Sequence, residues 1–168
     1  RNRLIYLWGH LTAVNDAPVI TTTGSALAYT ENKAAIAIDS GLTVSDVDSA
    51  TLTNATVSIS VNYANGQDVL AFTNQNGITG IWFPASGALW LTGNATVDQY
   101  QAALQSITYV NTSDTPSTAT RTVSFIVGDG TANSVADTRD ITVAAVNDAP
   151  TTIGLLNATI NEDGGFSF

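Results

Sequence analysis

The chain contains no cysteine and no methionine, one histidine, one lysine, and only five basic residues against fourteen acidic ones. Each shortage excludes something. Without cysteine there is no disulfide framework, so a folded unit must stand on its hydrophobic core. With 168 residues, 44% of them hydrophobic, there is enough for one ordinary domain plus flanking pieces. A net charge of −9 argues against nucleic acid, which wants a basic face, while it permits cations. No stretch approaches ~18 uninterrupted apolar residues, so no membrane-inserting helix is expected. The run Leu4–Trp8 is too short to span and lacks a signal-peptide layout. The missing initiator methionine reads as a piece cut from a longer protein. The lone His10 has no second candidate ligand near it, which argues against zinc chemistry and a Ser-His-Asp triad. An enzyme is not expected. Spacing alone does not exclude a glycosidase-type carboxylate pair, but the acids have a better joint explanation.

What fills the chain is β-branched and small polar. Only 11% is charged, and Thr, Ser, Asn, Ala and Gly make up the difference. That bias favours strands and turns over helices. Val57, Ile59, Val61 and Tyr63 alternate with Thr56, Ser58, Ser60 and Asn62. Val123, Phe125 and Val127 alternate with Thr122 and Ser124, and Ile141, Val143 and Ala145 with Thr142 and Ala144. A period of two with one wet face predicts half-buried strands. Shorter strands are expected near 27–30, 42–45, 68–73, 79–83, 88–91 and 106–110. Turn signals separate them at Asn65–Gly66, Asn76–Gly77, Ser86–Gly87 and Asp129–Gly130. So many short strands in one unit predict an all-β fold, an antiparallel two-sheet sandwich. One segment breaks the pattern. Val97, Tyr100, Leu104 and Ile107 share a helical face, and Thr96 with Gln99 forms a capping box, so a short helix is expected from about 97 to 104 on the sandwich edge.

The pentapeptide VNDAP occurs at Val14–Pro18 and again at Val146–Pro150, one domain length apart. Glu31 and Glu162 follow their respective copies at nearly the same distance. The expected organisation is therefore a complete unit over 14–150, bounded by both linkers. Residues 1–13 are the last strand of a preceding unit or a foreign tail. Residues 151–168 are the truncated start of the next unit, and Glu162 is expected to bind nothing in this fragment.

The acids fall at loops rather than along strand faces. Asp46 and Asp48 form a D-x-D in a turn, Asp16 and Asp148 lie in the linkers, Glu31 ends an early strand, Asp98 opens the helix and Asp129 ends a strand. Loop carboxylates crowded at a domain end repel one another unless a cation intervenes. Ca²⁺ takes ~6–8 oxygens from carboxylates, Asn side chains and backbone carbonyls, and each linker places an Asn beside its Asp, Asn15–Asp16 and Asn147–Asp148. Each residue also has a plainer reading. Asp46 is an ordinary Asx turn former, Asp98 is favourable at a helix N-terminus without any metal, Asp129 serves a turn, and the Asn-Asp pairs precede Ala-Pro in an extended linker.

Thr30–Asn32 resembles the P-E-N of cadherin-like repeats, Ser45–Ala50 their D-x-D-S-G, Val127–Gly130 their A-x-D-x-G, and VNDAP their linker. The linker here lacks the family's leading Asp and second Asn, and Gln99 stands where a family carboxylate is expected. The helical insertion is closer to the bacterial cadherin-like tandem repeats of large type I-secreted surface adhesins. The resemblance covers about 15–150 and implies a Greek-key, cadherin- or immunoglobulin-like sandwich with two calcium half-sites. Glu31, Asp98, Asn147 and Asp148 would gather at the C-terminal end; Asn15, Asp16, Asp46, Asp48 and Asp129 at the N-terminal end. Whole sites need a neighbouring repeat, with one or two Ca²⁺ at each junction. The implied role is a calcium-stiffened structural or adhesive repeat, extracellular or at the bacterial cell surface. Its partners would be neighbouring repeats, surface receptors, other adhesin copies or polysaccharide.

A second reading is a carbohydrate-binding module, with Trp82 and Trp90, beside Phe83, as an exposed platform for a sugar ring. The plainer reading places these residues in core or edge strands. The Asn-x-Ser/Thr triplets at Asn54, Asn94, Asn111 and Asn157 are glycan acceptors only in a suitable secretory setting, and chance explains them in a chain this rich in Asn and Thr.

Overall fold

A computed structural model describes residues 14–149. The strands are β1 (Val19–Thr21), β2 (Leu27–Thr30), β3 (Ile36–Ala37), β4 (Thr43–Ser45), β5 (Thr51–Val61), β6 (Asp68–Ala71), β7 (Thr79–Phe83) and β8 (Ala88–Thr96). After the helix α1 (Val97–Gln105) come β9 (Thr108–Asn111), β10 (Arg121–Gly128) and β11 (Asp137–Ala144). The six-stranded sheet β2-β11-β10-β5-β8-β7 faces the smaller sheets β3-β9-β6 and β1-β4. The architecture is a β-sandwich, as the alternation predicts.

The alternation explains the large sheet directly. In β5, Ala55, Val57 and Ile59 are buried, while Thr56 and Ser58 lie half-buried on the other face. In β10, Val123, Phe125 and Val127 are fully buried, with Thr122 and Ser124 opposite. Leu89 and Leu91 of β8 and Ile141 and Val143 of β11 complete the inner face. Leu70, Tyr109, Ile20 and Val44 come down on it from the smaller sheets. Tyr29 and Tyr109 meet edge to face at 5.1 Å between centroids, joining β2 to β9. Among the described residues all strand pairings are antiparallel but one: β2 and β11 run side by side in the same direction, Leu27 beside Ile141 through Thr30 beside Ala144. The antiparallel sandwich expected from the sequence is present, with this one parallel pair at its edge.

The helix is capped as its sequence predicts. Thr96 Oγ1 accepts from the Gln99 amide, and Gln99 Oε1 accepts from the Thr96 amide at 2.9 Å. Tyr100, Ala103 and Leu104 are buried against the sandwich. Tyr100 also donates its hydroxyl to Gly93 O at 2.6 Å, tying the helix to the strand that leads into it.

Strand direction sets which loops share an end. Thr51 pairs with Thr96 and Asn54 with Gly128, so the start of β5, the end of β8 and the end of β10 lie together. The linker 14–18, the loop 46–49 and the loop 129–133 meet at this N-terminal tip. At the opposite, C-terminal tip, the end of β2 meets the end of β11 and the second linker.

Candidate functional site

At the N-terminal tip the first linker is laced to two acidic loops. Asp46 Oδ1 accepts from the amides of Asp48 (3.1 Å) and Ser49 (2.8 Å), an Asx turn that the D-x-D-S sequence encodes locally. The turn aims Asp48 outward, where its Oδ2 accepts from the Asp16 amide at 3.0 Å. Asn15 Nδ2 donates to Asp129 Oδ2 at 2.8 Å and to Asp16 O at 3.0 Å. Asp129 Oδ1 accepts from the amides of Thr131 (2.6 Å) and Ala132 (2.7 Å). These bonds favour the charged carboxylate: the Ala132 amide, the Asn15 amide group and the Thr131 amide hold Asp129 below its ordinary pKa. Hydrogen bonds thus link Asn15 to Asp129 and Asp16 to Asp48, with Asp46 in the same loop as Asp48.

Asp98 does not join Glu31. It lines the same recess as Asp46 and Ser49, together with Thr96 and Val97, at the N-terminal tip. The grouping of Asp98 with Glu31, Asn147 and Asp148 is therefore corrected. β8 continues to Thr96 rather than stopping at 91. Five further residues of strand carry the chain roughly 16 Å toward the end where β5 begins.

At the C-terminal tip Glu31 is 1% exposed. Its amide donates to Ala144 O at 2.9 Å, and its Oε2 accepts from the Val146 amide at 2.8 Å. One carboxylate thereby fastens the second linker to the end of β2. Asn147 and Asp148 follow immediately and are exposed. Asn147 Nδ2 lies 3.4 Å from Asp148 O. Glu162 and His10 lie outside the described residues, as do the flanking segments 1–13 and 150–168.

Among the described residues, three buried side-chain polar atoms have no hydrogen-bond partner: Glu31 Oε1, Asp46 Oδ2 and Arg121 Nη2. Two of the three are carboxylate oxygens, and they sit one at each tip. A buried polar atom left unsatisfied costs ~1–3 kcal/mol, more if charged, so native proteins rarely keep one without a reason. Both oxygens belong to residues whose other oxygen is already held in place by the backbone, which leaves each free oxygen pre-oriented. No set of three or more acidic or histidine side chains among the described residues converges closely enough to hold a metal ion. Each tip presents carboxylate and amide oxygens without a converged set. The residues present suit a hard cation such as Ca²⁺, which takes carboxylate, amide and backbone oxygens, and offer no nitrogen or sulfur set for a softer metal.

The two tryptophans separate. Trp82 pairs with Leu89, which is 2% exposed, and packs on the core with Tyr63 edge to face at 6.2 Å. Trp90 points the other way and is 52% exposed. The two do not form one platform. The companions of Trp90 on the outer face are Ile81, its direct partner, and Phe83, at 4.8 Å between ring centroids. Reading IWF as a period-two strand would have found this split from sequence.

Three acids outside the predicted set serve the fold. Asp39 pairs with Arg139 at 2.9 Å, and Asp68 with Arg121 at 3.2 Å. Asp137 accepts from the Thr22 amide at 2.7 Å and is held below its ordinary pKa chiefly by that bond. None had a local sequence signature, because their partners lie far along the chain.

No protein-family model matches the chain, and no solved structure matches it. The chain is similar to halomucin of Haloquadratum walsbyi, with 33% identity over 123 residues, 70% of this chain. The chain spans 1% of halomucin's length. No helix among the described residues is long and apolar enough to cross a membrane.

Proposed function

We propose that the chain is a non-enzymatic, cadherin-like structural repeat of a large extracellular or cell-surface protein, stiffened by Ca²⁺ at the junctions between successive repeats. The reading is carried by the pair of orphaned, buried carboxylate oxygens, Glu31 Oε1 and Asp46 Oδ2, one at each end of the unit. Similarity to a short part of a very long protein supports a place in a long chain. The repeated VNDAP supports tandem copies.

Glu31, Asn147 and Asp148 would offer oxygens from the C-terminal tip. Asn15, Asp16, Asp46, Asp48, Asp98 and Asp129 would offer them from the N-terminal tip. A bound cation would supply positive charge that pairs with none of these carboxylates in the unit itself. The protein's own part is to hold the linker in register: the Val146 amide on Glu31 and the Asp16 amide on Asp48 already fix both linkers to their loops. Ion binding at extracellular modules typically falls near ~10⁻⁴–10⁻³ M, and free ion at about 100 times Kd stabilises the bound state by ~2.7 kcal/mol.

The test is a tandem of two whole repeats, followed by scanning calorimetry and small-angle scattering with millimolar Ca²⁺ or with chelator. Ca²⁺ should raise the midpoint and lengthen the particle. Glu31→Gln and Asp46→Asn should each blunt both responses. A tandem whose midpoint and dimensions ignore the ion refutes the proposal.

A further inference from the structure

Outside the tips, the most unusual surface is the outer face of the large sheet. Its residues form a lattice set by strand register. One row runs Ile81, Trp90, Thr56, Ile126 across β7, β8, β5 and β10; the next runs Phe83, Ala88, Ser58, Ser124. Four strands span roughly 14 Å. In a chain with fourteen acids, no charged side chain points outward from this face of the four strands. The first one met is Asp140, on the next strand, which accepts from Thr122 Oγ1 at 2.7 Å.

The apolar part is narrow. Ile81 is 57% exposed, Trp90 52% and Phe83 37%. Together they offer about 300 Å², well short of the roughly 800 Å² that a protein partner takes from each side. The rest of the two rows is Thr56, Ser58 and Ser124 with Ala88 and the half-buried Ile126. A protein partner would find too little apolar surface here to form a stable core of contact. An anionic or cationic ligand would find no counter-charge. A neutral, hydroxylated ligand with one apolar face suits both parts. The indole, packed by Phe83 and Ile81, takes the C–H face of a ring, and the hydroxyl rows take its rim.

We propose that the outer face of β7, β8, β5 and β10 binds a neutral polysaccharide chain, with a pyranose ring stacked on Trp90 beside Phe83 and Ile81 and its hydroxyls met by Thr56, Ser58 and Ser124. The site lies away from both tips and does not rest on the calcium reading.

The test titrates the chain with cellohexaose, xylohexaose, mannohexaose and maltohexaose by calorimetry and by NMR of the indole N–H groups. At least one should bind and shift the Trp90 signal, with the same affinity in chelator and at high salt. Trp90→Ala should weaken binding about tenfold or more, while Trp90→Phe should retain part of it. Trp90 is exposed, so both variants should keep the parent's unfolding midpoint. Failure of all four hexaoses, binding unchanged in Trp90→Ala, or sedimentation showing that this face instead pairs two copies of the chain would each overturn the proposal. An affinity that vanishes with chelator would also overturn it, by moving the ligand to the tips.

Discussion

Replacing Asp68 with asparagine probes an interior charge network that ties both layers of the sandwich together. Asp68 is 1% exposed and Arg121 is fully buried. Asp68 Oδ1 accepts from Tyr109 Oη (2.7 Å) and Asn111 Nδ2 (2.6 Å); Oδ2 accepts from the Ala64 amide (2.8 Å) and Arg121 Nε (3.2 Å). Four donors converge on two oxygens, from β9, from the loop before β6 and from β10 in the opposite sheet. The Asn side chain has nearly the same shape but one oxygen becomes an N–H₂ group. In either orientation it then faces two donors, and the guanidinium loses its only counter-charge. Arg121 Nη1 still reaches Ser117 O and Ala119 O, but Nη2 has no partner even in the parent. Breaking a buried pair by removing one member costs ~3–5 kcal/mol. With a urea m-value of about 2 kcal/mol/M, the midpoint should fall by ~1.5–2.5 M. The double variant Asp68→Asn, Arg121→Met removes both charges and keeps an acceptor for Tyr109 or Asn111. It should be more stable than Asp68→Asn alone by ~1 kcal/mol or more. A single-variant loss below ~1 kcal/mol, or strictly additive losses in the cycle, would refute the claim that the pair is held by mutual neutralisation.

Two further outcomes test the local geometry and the titrating groups. Gly93 has φ +142°, and a Cβ there would lie 2.2 Å from Gly77 O. Gly93→Ala should therefore cost ~2 kcal/mol or more in urea unfolding, and an unchanged midpoint would show that β8 can shift away from the loop. Asp129 and Asp137 have folded-state pKa values below their ordinary ones, so in acid the folded chain binds fewer protons than the unfolded chain. Their contribution is complete above the ordinary carboxylate range and is lost as pH falls through the depressed values. Unfolding midpoints should drop across that window. Asp137→Asn should be less stable than the parent at neutral pH, with the gap closing in acid; a gap that stays constant refutes the linkage.

The fold was legible where one periodicity ran unbroken. Val57 and Ile59, and Val123 to Val127, announce their strands because each alternate residue is apolar. The first half of β5 was hidden because the register shifts between Leu52 and Asn54, which interrupts the period of two. β1 and β3, three and two residues long, are too short to show a period at all. The end of β8 was hidden by Thr92–Gly93–Asn94, a polar stretch that reads as a turn yet stays in the sheet through Gly93. The cadherin-like resemblance implies Asp98 beside Glu31, whereas the full length of β8 carries it to the opposite tip. The tip loops themselves were legible because Asx turns and helix caps are local: Asp46 with Ser49, and Thr96 with Gln99, are encoded within four residues. The interior acids were illegible for the opposite reason, since Asp68 meets Arg121 fifty-three positions away.

The distribution of basic residues gives the tips their meaning. The described residues contain three bases, Lys33, Arg121 and Arg139. Both arginines are paired to interior acids, Asp68 and Asp39. The remaining base, Lys33, is exposed and forms no ion pair among the described residues. The carboxylates of Asp46, Asp48, Asp129 and Asp98 at one end, and of Glu31 and Asp148 at the other, form no ion pair among the described residues, although Lys33 stands in the turn after Glu31. Hydrogen bonds from backbone amides satisfy one oxygen of Asp46 and one of Glu31 and stop there. Repulsion among such groups is screened by salt only where water reaches them, and Glu31 is out of its reach. Asp68 and Asp39 are neutralised by the chain's own arginines, and the tip carboxylates are not. A monovalent salt contributes diffuse screening to the exposed members; the proposed divalent ion, bridging oxygens from two repeats, would reach the buried ones as well. Matched ionic strength in NaCl and CaCl₂ distinguishes the two: stabilisation that depends on ionic strength alone leaves Glu31 Oε1 and Asp46 Oδ2 unexplained, whereas an excess with Ca²⁺ that Glu31→Gln removes assigns the effect to those oxygens.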